Sequence, residues 1–374
     1  MNTSPNTPSC RFASARRRFG LWVVVSTLVL VTATALLLVD TTHRSFGRRA
    51  GAPATQTNPR RLAYSIGSPI LGIKLSRLQM LTARIGVGVA PIVTYSGQLI
   101  RGYLVRTNDA GASWRVTGVF PNGIYPWTTA FVSPEVGYVI DSTGALFTDN
   151  AGRTWSKVTT SGGPLSISVK GRVIWIPVEY CKHSAMRGPC STHLDTYQVD
   201  ALAPTSVASV PQEQPFFSQV GPTAGYVFGS GGISGKVYAT TDSGRTWRSI
   251  ANPCESGQIT SGSAVSSTRL FLFCGLGPTV LYSSSDGGAT WQRRSESPGN
   301  GLGAAVGSSG EFSWQLTPGL WESSDGGRRW EPVSAVSYGT NGDIVTYGAH
   351  EAWHVVPGHG IFRTLNGTSW KLLK

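Results

Sequence analysis

The sequence predicts an all-β fold, a seven-bladed β-propeller, behind one apolar N-terminal segment. Three observations carry this reading. The pattern Ser/Thr-x-Asp-x-Gly-x-x-Trp recurs along the chain. Its spacing is close to forty residues. Each period divides into short apolar or alternating runs separated by Gly, Pro, Ser and Asn, which is the signature of four strands per repeat. Four antiparallel strands repeated at that period make a propeller blade, and a single blade cannot bury both of its faces, so the repeats must close into a ring.

Taken in order, the chain of 374 residues divides into four parts. Residues 1–20 read as a basic cytoplasmic N-terminus, with Arg11, Arg16, Arg17 and Arg18 ahead of an uncharged stretch. That stretch, residues 21–39, reads as a transmembrane anchor or an uncleaved signal. Its nineteen residues span about 28 Å as a helix, close to the thickness of a bilayer core. It exceeds the usual apolar region of a secretory signal, which favours a retained single-pass anchor over cleavage. Ala52-Pro-Ala54 is the better candidate cleavage site if cutting occurs. Residues 40–61 are Gly/Pro/polar and basic, and read as a flexible linker. Residues 62–374 hold the repeats.

Within them the pattern reads Thr107-Asn-Asp109-Ala-Gly111-Ala-Ser-Trp114, then Thr240-Thr-Asp242-Ser-Gly244-Arg-Thr-Trp247. Ser284-Ser-Asp286-Gly-Gly288-Ala-Thr-Trp291 and Ser323-Ser-Asp325-Gly-Gly327-Arg-Arg-Trp330 follow. Two variants carry Asn in place of Asp: Asn150 before Trp155, and Asn366 before Trp370 in a turn one residue shorter. The Trp-to-Trp intervals are 41, 92, 44, 39 and 40. The long one is about two periods, so one module around residues 159–203 lacks the signature and the modules number seven. The turn falls between the third and fourth strands. There a short Asp accepts hydrogen bonds from backbone N–H groups just downstream. Gly supplies a backbone angle that a β-carbon disfavours. The Trp suits the layer between blades, with its indole N–H free to find a carbonyl. The turn is therefore expected to be structural. It lacks the oxygen ligands and terminal Glu of a calcium loop, and neither a metal nor a cofactor is expected.

These motifs resemble the Asp-box, or BNR, repeat of sialidases, sortilin-type receptors, some glycoside hydrolases and the photosystem II stability/assembly factors, over roughly residues 78–373. The resemblance implies a propeller of the sialidase superfamily, with the box on the face opposite the usual active site. In repeat length and short loops the chain looks most like the photosystem II assembly factors. That implies a non-enzymatic protein-binding scaffold. The alternative it implies is a glycan-binding or glycoside-hydrolase propeller. A sialidase would bring an arginine triad, an early Arg-Ile-Pro and a Tyr/Glu nucleophile pair; Arg-Ile-Pro does not occur here.

Charge and cysteines bound the partner and the compartment. Nine Arg and one acid, Asp40, give residues 1–61 a net +8 of the chain's +13, leaving +5 for the other 313 residues. The excess therefore sits beside the expected membrane, where anionic lipid heads are its partner. No nucleic-acid motif is present, and nucleic acid is not an expected partner. Cys10 stands alone before the span, whereas Cys181, Cys190, Cys254 and Cys274 follow it. That arrangement predicts a free thiol inside and the disulfides Cys181–Cys190 and Cys254–Cys274 outside, with the propeller extracytoplasmic. The insertion at 178–195 also holds His183 and His193, but its spacing matches no common zinc pattern. The face opposite the boxes is where a site is expected. Tyr125 and Trp127 lie in the loop entering the second module, with Arg101 and His359 as lesser candidates for contact with a protein partner, a membrane protein included, or a glycan. Asp141, Glu179, Asp195 and Asp200 are the acids expected to reach that face.

Overall fold

The computed structural model describes residues 64–373 apart from 71–74, 94–98, 182–189, 212–214, 230–234, 256, 276–278, 297, 299–304, 312, 317–318, 335, 337–342 and 357–359. The expected anchor at 21–39, its flanking segments and Cys10 lie outside these residues, as does His359. Among the described residues there is no helix, and so none long and apolar enough to cross a membrane.

Every regular element among the described residues is a strand, and each sheet takes its strands consecutively from the chain. Sheet 1 consists of Arg77–Met80, Gly86–Val93, Leu99–Thr107 and Arg115–Val119. Sheet 2 holds Thr128–Phe131, Gly137–Asp141, Gly144–Thr148 and Ser156–Val158. Sheet 3 is Ser168–Lys170, Val173–Cys181, Cys190–Gln198 and Ser206–Val210, with Gly163–Pro164 pairing further along Val173–Cys181. Sheet 4 is built from Pro215–Gln219, Gly225–Gly229, Val237–Thr240 and Arg248–Ile250. Ile259–Ala264, Leu270–Cys274, Val280–Ser284 and Gln292–Glu296 form sheet 5. Ala305–Val306, Ser313–Leu316, Leu320–Ser323 and Glu331–Pro332 form sheet 6. Asp343–Tyr347, Glu351–Val356, Gly360–Thr364 and Trp370–Leu373 form sheet 7. All pairings within them are antiparallel.

The apolar side chains explain why these sheets stack in a ring. Both faces of the middle strands are apolar, as in the fully buried Gly137–Asp141, Gly225–Gly229 and Leu270–Cys274. The core is accordingly divided into one cluster per pair of neighbours. Leu104 and Val89 meet Phe131 and Val139 between sheets 1 and 2. Tyr138 and Ile140 meet Ile174 and Ile176 between sheets 2 and 3. Trp175 and Val227 pack between 3 and 4, Phe228 and Leu272 between 4 and 5, and Leu281 and Trp330 between 5 and 6. Trp314 and Phe362 fill the next interface. Tyr103, Val105, Trp353 and Val355 join sheet 7 back to sheet 1. Side-by-side burial of this kind is an all-β propeller.

Among the described residues closure uses no strand exchange, since the strands of sheet 7 are all C-terminal and those of sheet 1 all N-terminal. Packing and, among the described residues, three polar contacts hold the junction. The Trp353 indole N–H and the Arg363 guanidinium both donate to the Ala110 carbonyl, at 3.0 and 3.3 Å. Arg77 pairs with Asp343 at 2.8 Å. Residues 64–70 run along the outer strand of sheet 1, with Gly67 N–H donating to Val116 O and Val116 N–H to Ser68 O. The chain thus enters the domain at the rim of sheet 1.

Candidate functional site

The two ends of the ring differ in kind. At one end, first-to-second-strand turns meet third-to-fourth-strand turns, and these carry the Trp-terminated pattern in six sheets. In sheet 4 the Thr240 hydroxyl donates to Asp242 Oδ1 (2.8 Å) and accepts the Gly244 N–H (2.9 Å). The Thr246 N–H reaches Oδ1 at 2.9 Å and its hydroxyl reaches Oδ2 at 2.6 Å. Ser243 and Gly244 stand at φ 61° and 82°, the left-handed region that a tight reversal needs. The same bonds recur around Asp109 and Asp286. The donors hold the carboxyl down: the Thr246 hydroxyl and N–H keep Asp242 at about 2, and Thr290 does the same for Asp286.

Five of the six Trp then bridge outward. Trp155 donates to Val119 O (3.0 Å), Trp247 to Ser209 O (2.9 Å) and Trp291 to Ala251 O (2.9 Å), in each case reaching the preceding sheet. Trp330 donates to Ser295 Oγ and Trp370 to Glu322 Oε2. Trp114 alone turns back on its own turn, to Gly111 O. Around Asn150 and Asn366 the side-chain N–H₂ donates to Thr154 Oγ1 and Ser369 Oγ, reversing the sense of one bond.

The opposite end carries second-to-third-strand turns and the loops between sheets. Tyr125 is 42% exposed in the loop entering sheet 2, whereas Trp127 is half-buried against the cluster between sheets 2 and 3. The backbone of Trp127 is also committed, its N–H to Ile140 O and its carbonyl to Arg77 Nε. The two rings therefore do not form one aromatic platform. Arg101 is exposed on the third strand of sheet 1.

Two disulfides are present. Cys181–Cys190 joins directly paired residues at the end of the sheet 3 hairpin, half-buried. Cys254–Cys274 ties the loop entering sheet 5 to its second strand, with both residues buried. The Glu179 carboxylate lies within 4.8 Å of both sulfurs of the first bridge, but sulfurs bonded to each other offer no thiolate to a metal. On the other face of that hairpin the Tyr180 and His193 rings stack with centroids 5.8 Å apart, and Ser191 Oγ lies 3.3 Å from His193 Nε2.

The acids expected on this face are disposed differently. Asp195 is fully buried and both its oxygens are occupied, by the Ser161 N–H (2.7 Å), the Ser161 hydroxyl and the Tyr197 hydroxyl (3.2 Å). Asp141 is 3% exposed and folds over the Thr143 N–H and hydroxyl. Asp200 is at the other end: it sits in the third-to-fourth-strand turn of sheet 3, paired with Arg172 of the first-to-second turn. The expectation that it reaches the loop-bearing face is corrected, because the 92-residue interval gave no Trp from which to count strands in that module.

Sequence reasoning missed Arg77. It stands on the innermost strand of sheet 1, ion-paired to Asp343 of sheet 7 and bonded to the Trp127 carbonyl beside sheet 2, so one guanidinium joins three neighbours. Its partner is 266 residues away in the chain, and no local pattern marks such a pair. A shallow depression of about 650 Å³ lies at the box end between sheets 7 and 1, lined by Arg84, Arg106, Asn108 and Tyr347.

No protein-family model matches the chain, and no curated protein does. Solved structures do. A structure described as YCF48 bound to D1 peptide superposes with a TM-score of 0.52 at 16% identity, over 78% of this chain and 94% of that one. YCF48 from Cyanidioschyzon merolae gives 0.53 at 12% identity, over 78% and 95%. An ancestral GH74 enzyme gives 0.53 at 15% identity, over 83% of this chain and 48% of that one. At these identities the likeness establishes the β-propeller fold.

Proposed function

We propose that the chain is a membrane-anchored, exported propeller of seven blades that binds a protein segment as a non-enzymatic assembly scaffold. The observation that carries this reading is the engagement of the acids near the loop-bearing face. Asp195 and Asp141 are buried and serve the fold, whereas a glycosidase needs two carboxylates flanking an open cleft. The likeness to a propeller solved with a peptide bound supports the same reading, because it extends over nearly the whole of that chain. The likeness to a GH74 enzyme supports the alternative, a glycan-directed propeller, but spans under half of that protein.

The contact residues in this reading are Tyr125 and Arg101, with the Cys181–Cys190 hairpin on the same face. Trp127 contributes by holding the loop against the core. An exposed aromatic on a braced loop loses little entropy on binding, and such anchors commonly carry about 2 kcal/mol or more. The test is capture of membrane proteins by the full chain in detergent, compared with Tyr125→Ala and Arg101→Ala. Weaker capture at an unchanged melting temperature supports the scaffold. Turnover of a xyloglucan or sialoside that is abolished by a single carboxylate-to-amide change overturns it. Anchoring is tested separately: a membrane-impermeant thiol reagent added outside intact cells should leave Cys10 unlabelled, and labelling of Cys10 would refute the proposed topology.

A further inference from the structure

The last of the six turns differs from the others in the surroundings of one atom. In the five eight-residue turns, the backbone N–H that follows the Asp or Asn donates to a carbonyl of the same sheet's first-to-second-strand turn. In the turn of sheet 2 that bond runs from Ala151 to Glu135 O at 2.8 Å. In the shorter turn of sheet 7 the residue after Asn366 is Gly367, and its N–H has no acceptor among the described residues. Asn366 is exposed to water, whereas Gly367 is buried, its carbonyl accepting the Trp314 indole N–H at 3.2 Å.

The electrophile is prepared at the same place. Asn366 Oδ1 accepts from the Ser369 N–H (2.8 Å), the Thr368 N–H (3.2 Å) and the Thr364 hydroxyl (3.2 Å). Three donors on one amide oxygen draw electron density from Cγ and stabilise the oxyanion that forms when a nucleophile adds there. The leaving group is oriented too, since Nδ2 donates to Ser369 Oγ.

We propose that Asn366–Gly367 is a self-modifying site at which the asparagine deamidates in the folded protein. The Gly367 nitrogen bonds to Asn366 Cγ, its proton passes through water to the departing amine, and the Cγ–Nδ2 bond breaks to release ammonia. Water then opens the resulting succinimide at either carbonyl, giving aspartate or isoaspartate. Aspartate restores the carboxylate that four of the other turns carry, with Ser369 as its donor in the manner of Thr246 at Asp242. Isoaspartate carries the main chain through the side-chain carbon, lengthening the turn just before Trp370 and its bond to Glu322.

Asn150 is the internal control. Its Oδ1 is held by the Thr154 N–H and the Thr148 hydroxyl in the same way, but the following residue is Ala151, whose β-carbon crowds the nitrogen and whose N–H is locked to Glu135. The experiment is peptide mapping of the full chain incubated folded at mildly alkaline pH, with the exposed Asn122–Gly123 as the reference for an open loop. Progressive loss of the Asn366 peptide, with aspartate and isoaspartate in its place and Asn150 intact, is the expected result. An intact Asn366 at times when Asn122 has converted, or conversion only after denaturation, would overturn the proposal. As a second measurement, Asn366→Asp should melt no lower than the parent; a lower melting temperature would contradict the assignment of aspartate as a fitting product.

Discussion

A single carboxylate shows how a propeller spends its polar side chains. Asp195 is fully buried, and three donors converge on it from the loop entering sheet 3 and from Tyr197. The charge next to its hydroxyl and the loss of water both push Tyr197 far above its ordinary range, burial being the larger cause. Asp195→Ala would strand the Ser161 N–H and hydroxyl, at about 1–3 kcal/mol for each one left unpaired, whereas the Tyr197 hydroxyl keeps the Thr159 carbonyl at 2.8 Å. Chemical denaturation should show the loss, with Asp195→Asn milder. The acid limb of stability divides between two kinds of residue. His354 is buried, with its titration lowered by desolvation, so below about pH 6.5 the unfolded chain takes up a proton that the fold refuses. Stability should begin to fall there, and His354→Phe should remove that limb. Asp242 and Asp286 have folded values near 2. Their contribution is complete above the ordinary aspartate value and should disappear only as the pH falls from about 4 toward 2. Melting temperature against pH should therefore show two separate declines.

At the scale of elements, the two disulfides have different duties. Cys254–Cys274 closes a loop of 20 residues inside the cluster between sheets 4 and 5. Cys181–Cys190 spans 9 residues and joins two strands already paired from Val173↔Gln198 to Cys181↔Cys190. By loop entropy the longer bridge contributes about 3 kcal/mol, and its removal also disturbs packed side chains. The Cys254→Ser/Cys274→Ser variant should lose far more stability than Cys181→Ser/Cys190→Ser, as read from urea midpoints. The elements themselves were legible where a side chain repeats. Each Trp-terminated turn marks a third strand ending and a fourth beginning, because its hydroxyl, carboxylate and glycine satisfy one another locally. Sheet 3 was legible only as a gap. There the bridging role passes to Tyr138 of sheet 2, whose hydroxyl accepts the Asp200 N–H and donates to Ala201 O. A tyrosine in the middle of an apolar strand reads as core, and nothing local announces that it caps a neighbour. Trp127 and Tyr125 read alike in sequence, and only the depth of the core beneath the loop separates them.

For the whole molecule, the ring holds because its first and last sheets pack as the others do. Trp353 has no exposed surface and reaches across the junction to Ala110. Trp353→Ala should cost about 3–5 kcal/mol and open the junction between sheets 7 and 1 first, which amide exchange at Leu99–Thr107 and Gly360–Thr364 would register. Arg77→Met, which keeps bulk but removes the contact to Asp343 and Trp127, should loosen the same junction less. The central claim concerns the face on which the molecule works, and it is tested most directly by photo-crosslinking in the producing cell. A photoreactive residue is placed at Tyr125 and, in a second chain, at Arg245 in the turn of sheet 4 at the box end. A discrete protein adduct from position 125 and none from 245 is the result predicted for a scaffold that binds through its loop-bearing face. Adducts from 245 alone, or none from 125 in cells where the protein is folded and abundant, would contradict it.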